Sequence, residues 1–235
     1  MKIGGIIFSR MSSSRLPGKA MIDINGQTLL ERVIERSKKI SNIDHLCIAT
    51  SNKKEDDVIE SFAKSQNIDV CRGSLNDVAL RALEACTKFN YNNFLRICGD
   101  RPFFDIDYYN YLIENHLTNN NDLTTNIYPR TVPAGLTGEV ISFRALKYLI
   151  SQTSNKEERE HVTTFFYRNS NLFTISNISF NLSDDIIDLR LVVDDDRDLK
   201  RSCWISKNLE NQKNTFNTKQ IFSLAFKWEE NNKIK

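Results

Sequence analysis

Short apolar runs alternate with amphipathic stretches along the first half of the chain. The apolar runs have the length of strands and are rich in β-branched residues; they cover 2–9, 45–51, 68–72 and 93–98. The amphipathic stretches have apolar residues at helical spacing; they cover 29–40, 55–66, 76–89 and 108–117. This regular alternation predicts an α/β fold with a mainly parallel central sheet and helices on both faces.

The pattern becomes irregular after residue 117 and regular again near residue 188. The segment between contains the polar, turn-like TNNNDLTTN, and its YPRTVPAGLTGE carries two of the four prolines. It predicts a smaller lobe, approximately 118–183, inserted into a single domain that spans 1–235. Further on, 188–193 predicts a strand, and 195–208 and 218–228 predict helices separated by a polar hinge.

Composition narrows the possible functions. A chain of 235 residues suits one large α/β domain, and no apolar run is long enough to cross a bilayer. The N-terminal apolar stretch meets Arg10 after about a strand's length, which argues against a secretion signal, so we expect a cytoplasmic protein. A net charge of +2 gives no reason to expect nucleic-acid binding. The five dispersed cysteines include no CxxC pair and predict buried free thiols.

A basic loop, RMSSSRLPGK, follows the first predicted strand. It contains three cations, Arg10, Arg15 and Lys19, and small hydroxyl residues whose backbone amides can approach a polyanion. Open α/β sheets bind ligands at the carboxyl ends of their strands, so the loop predicts a triphosphate site. The alternative interpretation is a solvated basic loop. Its spacing differs from the GxxxxGK[ST] of a P-loop, which disfavours ATPase-type chemistry.

Two further strand ends carry aspartates. Asp100 follows the strand that ends at residue 98, and Asp194 follows the predicted strand 188–193. Carboxylates from separate strand ends, facing a basic loop, are suited to Mg²⁺, which prefers oxygen ligands and few protein carboxylates. An aspartate after a strand is also a common helix N-cap, and we expect one or two of 194–198 to have only that role.

Six ordered blocks identify a family resemblance. They are RMSSSRLPGK, RGSLNDVALR, RICGDRPFFD, PAGLTGEV, EREHVT and RLVVDDDRDL. Together they resemble the spore coat polysaccharide biosynthesis protein F group of cytidylyltransferases, which is related to CMP-Kdo synthetases. The resemblance extends from Ile3 to about Leu199. It implies a Rossmann-like nucleotide-diphospho-sugar transferase fold of the glycosyltransferase-A-like kind, and transfer of CMP from CTP.

The resemblance also implies residue roles. Arg10, Arg15 and Lys19 would hold the CTP phosphates, and Asp100 and Asp194 would bind Mg²⁺ or Mn²⁺. The full nucleotide-binding set is Arg10, Met11, Ser12, Ser13, Ser14, Arg15, Lys19, Ala49, Thr50, Arg72, Gly73, Ser74, Asp77 and Arg81. The acceptor-binding set is Arg101, Glu139, Arg159, Glu160 and His161, and the catalytic set is Arg10, Lys19, Asp100 and Asp194.

Simpler interpretations exist for some of these residues. Asp77 and Arg81 have the spacing of a pair on one helix face, and a histidine such as His161 in a charged stretch is often a surface or capping residue. Two positions depart from the family pattern. Ser12 stands where the group commonly has glycine, and Arg101 stands where it often has cysteine, adding a cation beside Asp100.

The predicted reaction joins CMP from CTP to a sugar-like acceptor and releases pyrophosphate. The acceptor would be an acidic sugar, a sugar phosphate or a polyol phosphate, used for surface polysaccharide or other glycan synthesis. The resemblance further suggests a homodimer formed through the inserted lobe. Two alternatives remain at this point: a nucleotide-sugar-dependent glycosyltransferase on the same fold, and a non-catalytic nucleotide-binding protein.

Overall fold

A seven-stranded sheet organises the part of the chain that the computed structural model describes, residues 1–209 and 216–232. The strands are β1 Ile3–Phe8, β2 His45–Ser51, β3 Asp69–Gly73, β4 Asn93–Cys98, β5 Leu123–Thr125, β6 Glu139–Ser142 and β7 Ile175–Asn177. Their order in the sheet is β3-β2-β1-β4-β6-β5-β7. Only β6 is antiparallel to its neighbours, so the prediction of a mainly parallel sheet is confirmed.

Helices cover both faces of this sheet. They are α1 Leu29–Ser37, α2 Asp57–Ser65, α3 Val78–Phe89, α4 Ile106–Asn119, α5 Phe143–Gln152, α6 Lys156–His161, α7 Thr164–Arg168, α8 Asp184–Ile187, α9 Asp196–Asn208 and α10 Thr218–Asn231. Side-chain caps fix several of the starts. Thr28 and Glu31 form a capping box at α1, and Asp105 accepts from the Tyr108 amide at α4.

The core lies on both sides of the sheet because successive strand residues face opposite ways. Ile6 packs with Phe94 and Phe166 on one face, whereas Ile7 packs with Leu95 on the other. All five side chains are fully buried. A third cluster packs α9 and α10 against the loop after β4 and the segment before α9. None of the described helices is both long and apolar enough to cross a membrane.

The strands and helices predicted in the first half of the chain are confirmed, with bounds that shift by a few residues. The segment 118–183, predicted as an inserted lobe, supplies β5, β6 and β7 to the central sheet together with α5, α6 and α7. The five cysteines are free thiols, three of them buried and two half-buried. The predicted polar hinge falls largely on 210–215, outside the described residues.

The predicted strand at 188–193 is wrong. The segment is extended, but its amides bond to two separate loops instead of a neighbouring strand. Leu191 N donates to Ala134 O at 2.7 Å, and Val193 N donates to Asp100 O at 2.9 Å. Single bonds to different partners do not build a ladder, so the segment is extended and partly buried without being a strand.

Candidate active site

A cleft of about 720 Å³ opens where β1 and β4 end. This is the edge of the sheet at which parallel strands place ligands. The cleft is lined by Phe8, Ser9, Arg10, Ser12, Ser13, Ser14, Arg15, Lys19, Ala20, Val78, Arg81, Arg96, Cys98, Gly99, Asp100, Glu160, His161 and Asp194. The basic loop and both aspartates singled out from the sequence therefore meet in one place.

The basic loop is held in shape by its backbone and by one buried carboxylate. Gly18, with a φ of 72°, donates its amide to Met11 O at 3.0 Å and closes the loop. The Met11 amide donates to Asp56 Oδ1 at 2.7 Å, and Asp56 Oδ2 accepts from the Ser51 amide at 3.0 Å. Asp56 is fully buried and ties the loop to the end of β2. Sequence reasoning missed this residue.

The tip of the loop leaves its amides available. Among the described residues, no hydrogen-bond acceptor is assigned to the backbone amides of Ser12, Ser13, Ser14 or Arg15. The Ser12 hydroxyl is buried and likewise has no partner in the described part of the chain. Successive unpaired amides beside two arginines form a concave surface suited to an anion.

Lys19 joins the two aspartates at the floor of the cleft. Its Nζ lies 3.1 Å from Asp100 Oδ2 and 2.8 Å from Asp194 Oδ1. Burial alone would lower the pKa of Lys19, but the two carboxylates outweigh burial and raise it. Burial alone would raise the pKa of Asp194. The nearby cations Lys19, Arg15 and Arg190 outweigh burial and keep that pKa below its usual range.

Asp194 is positioned by the start of α9. Its amide donates to Asp198 Oδ2 at 3.1 Å, and Asp198 is buried in an ion pair with Arg201. Asp195 caps the helix by accepting from the Asp198 amide at 2.9 Å. Asp195 therefore has the N-cap position that was expected of part of 194–198.

The opposite wall of the cleft comes from α3 and α6. Arg10 bridges to this wall through Glu160, 3.2 Å away, while His161 is exposed beside it. Arg81 is buried and donates to Ser74 O at 2.6 Å. Burial and the nearby Arg10 lower the pKa of Arg81 to about 10, so the wall holds a desolvated cation close to the loop.

Arg96, which sequence reasoning did not single out, also lines the cleft. It lies on β4 and forms an ion pair with Glu139, its register partner on β6. Glu139 is buried and accepts from the Tyr167 hydroxyl at 3.0 Å. An arginine in the middle of the apolar run NFLRIC was the signal that could have identified Arg96.

Several predicted site residues do not line the cleft. They are Met11, Ala49, Thr50, Arg72, Gly73, Ser74, Asp77, Arg101, Glu139 and Arg159. Arg72 instead pairs with Asp57 at 2.7 Å and Glu60 at 2.8 Å on α2. Arg101 is a buried guanidinium that donates to Thr137 O.

Asp77 and Arg159 form a pair outside the cleft. Arg159 Nε and Nη2 donate to Asp77 Oδ2 at 2.9 and 2.7 Å, so Asp77 does not pair with Arg81 along the helix as the simpler interpretation proposed. Asp77 also caps α3 by accepting from the Leu80 amide. Both line a second, smaller cleft of about 450 Å³ together with Ser74. Glu160 borders both clefts.

The chain is similar to several known proteins. The spore coat polysaccharide biosynthesis protein SpsF of Bacillus subtilis is 30% identical over 175 residues, 72% of each chain. A 3-deoxy-manno-octulosonate cytidylyltransferase of Fusobacterium nucleatum is 37% identical over 120 residues, 51% of this chain and 48% of that protein.

A solved cytidylyltransferase structure from Leptospira borgpetersenii superposes with a TM-score of 0.86 at 28% identity, covering 99% of this chain and 95% of that one. The model of the cytidylyltransferase family matches residues 5–225, which include the basic loop, Asp100 and Asp194. The chain therefore belongs to the cytidylyltransferase family and is a CTP-dependent nucleotidyltransferase.

Proposed function

We propose that the protein transfers CMP from CTP to a negatively charged, sugar-like acceptor and releases pyrophosphate. The acceptor is an acidic sugar, a sugar phosphate or a polyol phosphate, and the product serves surface polysaccharide or other glycan synthesis. The observation that carries the proposal is the contact of one ammonium, Lys19 Nζ, with both Asp100 and Asp194 beneath a loop of unpaired amides. The similarity to SpsF and to a 3-deoxy-manno-octulosonate cytidylyltransferase supports the acceptor class.

A divalent cation, Mg²⁺ or Mn²⁺, fits the same two carboxylates. The described residues contain no cluster of three or more His, Cys, Asp or Glu side chains suited to a metal. Asp100 and Asp194 nevertheless converge on a single cation, the Lys19 ammonium, so their oxygens can reach one ion between them. Mg²⁺ is commonly bound by one or two carboxylates, with phosphates and waters completing its shell. Such an ion would supply charge neutralisation at the α-phosphate.

The protein's own residues bind and orient the nucleotide. The amides of Ser12 to Arg15, with Arg10 and Arg15, hold the β- and γ-phosphates, and Lys19 stabilises the departing pyrophosphate. An acceptor oxygen attacks the α-phosphorus in line while the bond to pyrophosphate breaks. A phosphate acceptor is already ionised, whereas a hydroxyl acceptor must lose its proton, and the exposed His161 at the rim is available to take it.

The assay is pyrophosphate release from each of the four NTPs with Mg²⁺, against acidic sugars, sugar phosphates and polyol phosphates. We expect release with CTP and one acceptor class. Asp100→Asn should reduce kcat by at least about 100-fold, because it removes a carboxylate that acts on the transferred phosphate, with little change in the free energy of unfolding. Asp107→Asn, at an exposed position on α4, is the matched control.

Two outcomes would contradict the proposal. CTP binding without pyrophosphate release across the panel favours a non-catalytic nucleotide-binding protein. Wild-type turnover by the Asp100→Asn variant removes Asp100 from the proposed metal site.

We further propose a cytoplasmic homodimer that associates through 118–183. Three large side chains in this segment support the dimer because they are exposed: Tyr128 at 46%, Tyr148 at 42% and Leu172 at 54%. Sedimentation equilibrium measures the state directly, and a monomer at micromolar concentration would contradict it.

A further inference from the structure

Arg96 is a charged residue in a place that the fold otherwise fills with apolar side chains. It lies on β4, an interior strand between β1 and β6. Alternation along the strand puts it on the same face as Phe94, which is fully buried in the core. The Arg96 side chain retains 17% exposure, and that exposed part contributes to the wall of the cleft.

The guanidinium of Arg96 is held on one side and unpaired on the other. Among the described residues, the guanidinium donates one hydrogen bond, from Nη1 to Glu139 Oε2. Its Nε is buried and has no partner among the described residues. Unpaired donors are costly in a folded protein, and Arg96 keeps hydrogen-bonding capacity that the described residues do not use.

Both carboxylate oxygens of Glu139 already accept a hydrogen bond. Its Oε1 accepts from the Tyr167 hydroxyl at 3.0 Å and its Oε2 accepts from Arg96. The buried guanidinium of Arg101 is a second cation close enough to interact with the same carboxylate. Asp100, the next carboxylate along the chain, is already in contact with Lys19. The guanidiniums of Arg96 and Arg101 thus both lie close to the one buried carboxylate of Glu139.

Arg96 lies apart from the cations of the phosphate loop. Arg10, Arg15 and Lys19 approach from the loop after β1, whereas Arg96 is within β4, four residues before Asp100. Glu160 and His161 of α6 line the same cleft. Arg96 is therefore a cleft-lining cation on an element separate from the phosphate loop.

We propose that the guanidinium of Arg96, oriented by Glu139 and Tyr167, binds the anionic group of the acceptor, a carboxylate or a phosphate. The proposal rests on the proposed function and names the residue that selects its substrate class. Arginine suits this role because its planar fork of donors recognises both anions.

The first test separates the acceptor from the nucleotide. In steady-state assays, Arg96→Gln should raise the KM for the acceptor about 10- to 100-fold, the range of a lost hydrogen bond to a charged group, and leave the KM for CTP nearly unchanged. Arg144→Gln removes an exposed arginine on α5 and serves as the control. A parallel rise in the KM for CTP would assign Arg96 to the nucleotide and overturn the proposal.

The second test separates ligand binding from a merely structural role. Arg96→Gln removes the cation that is hydrogen-bonded to buried Glu139 and leaves only Arg101 nearby, so the variant is expected to lose stability. The double variant Arg96→Met/Glu139→Gln removes both charges and should recover much of that stability. The acceptor KM should stay high in the double variant. If the acceptor KM returned to the wild-type value, Arg96 would only neutralise Glu139 and the proposal would fail.

A binding experiment keeps this inference distinct from the turnover assay. Saturation-transfer NMR with CTP present compares 3-deoxy-manno-octulosonate, glucose 1-phosphate and neutral glucose as probes. We expect one anionic probe to bind the wild type but not the double variant, and we expect glucose to bind neither. Binding of the acidic sugar would identify the anion as a carboxylate, and binding of the sugar phosphate would identify it as a phosphate. Equal binding of glucose, or no binding by either anionic probe, overturns the inference. Binding that depends on Arg96 without pyrophosphate release would contradict only the proposed function.

Discussion

Replacing Gly135 with alanine should displace the segment that carries Asp194. A Cβ at Gly135 would meet the carbonyl carbon and oxygen of Leu191 at 2.5 Å. These are backbone atoms, so no side-chain rotation relieves the clash. Gly135 also has a φ of 109°, which side chains rarely adopt. The 191 segment must retreat, and it is joined to Asp100 through Val193.

The magnitude follows from three contributions. Backbone strain at positive φ costs about 1–3 kcal/mol. Loss of the bond from Leu191 N to Ala134 O costs about 1 kcal/mol. Partial exposure of Leu191, now 1% exposed, adds about 1 kcal/mol. The variant should therefore lose on the order of 3–5 kcal/mol of unfolding free energy. Gly26→Ala is the matched control, because Gly26 has a φ of 80° and no atom within 4 Å of its added Cβ.

Urea unfolding and pyrophosphate release together test this reasoning. Gly26→Ala should cost about 1–2 kcal/mol from strain alone and keep wild-type kcat. Gly135→Ala should lose more stability and, in the fraction that remains folded, have a lower kcat because Asp194 has moved from Asp100. Equal losses of stability in the two variants would refute the argument from the Leu191 contact. Full kcat in folded Gly135→Ala would refute the link to Asp194.

Two further predictions concern buried polar residues. Asp56→Asn places an amide NH2 group against the backbone amides of Met11 and Ser51, which are themselves donors. The variant should lose about 1–3 kcal/mol of unfolding free energy in urea and have a higher KM for CTP. Asp57→Asn, at the exposed neighbouring position, should change both quantities little. Burial lowers the pKa of His116 to about 4 from an ordinary 6.5, so the unfolded chain takes up the proton first as pH falls. This contribution to stability is intact above pH 6.5 and is lost progressively between 6.5 and 4; about 2 kcal/mol should disappear from pH 7 to pH 5, and His116→Gln should show a correspondingly flatter pH dependence.

The convergence of Lys19, Asp100 and Asp194 could be anticipated because each lies in the segment that follows an apolar run. Apolar runs of strand length predict buried extended segments, and the ends of parallel strands share one edge of a sheet. The segment 188–193 is extended and reaches the same edge, so it brings Asp194 there without belonging to the sheet.

The partners of Arg96 and Arg72 could not be anticipated in the same way. Arg96 meets Glu139 because β6 runs antiparallel to β4 in one particular register, and nothing local to either strand specifies that pairing. Arg72 turns toward Asp57 and Glu60 because β3 is an edge strand with α2 beside it. The role of Asp56 has no local signal in the sequence, because an aspartate at the start of a helix is most often a cap.

The hydrogen bond between Val193 and Asp100 also bears on when the protein becomes active during its synthesis. A chain growing on the ribosome exposes the phosphate loop first, Asp100 midway and Asp194 much later. Domains fold as units, and a chain that stops before residue 191 lacks the amides of Leu191 and Val193 that bond to Ala134 and Asp100. With the roles proposed above, such an incomplete chain also lacks the second carboxylate. Partly synthesised chains would therefore be unable to transfer CMP.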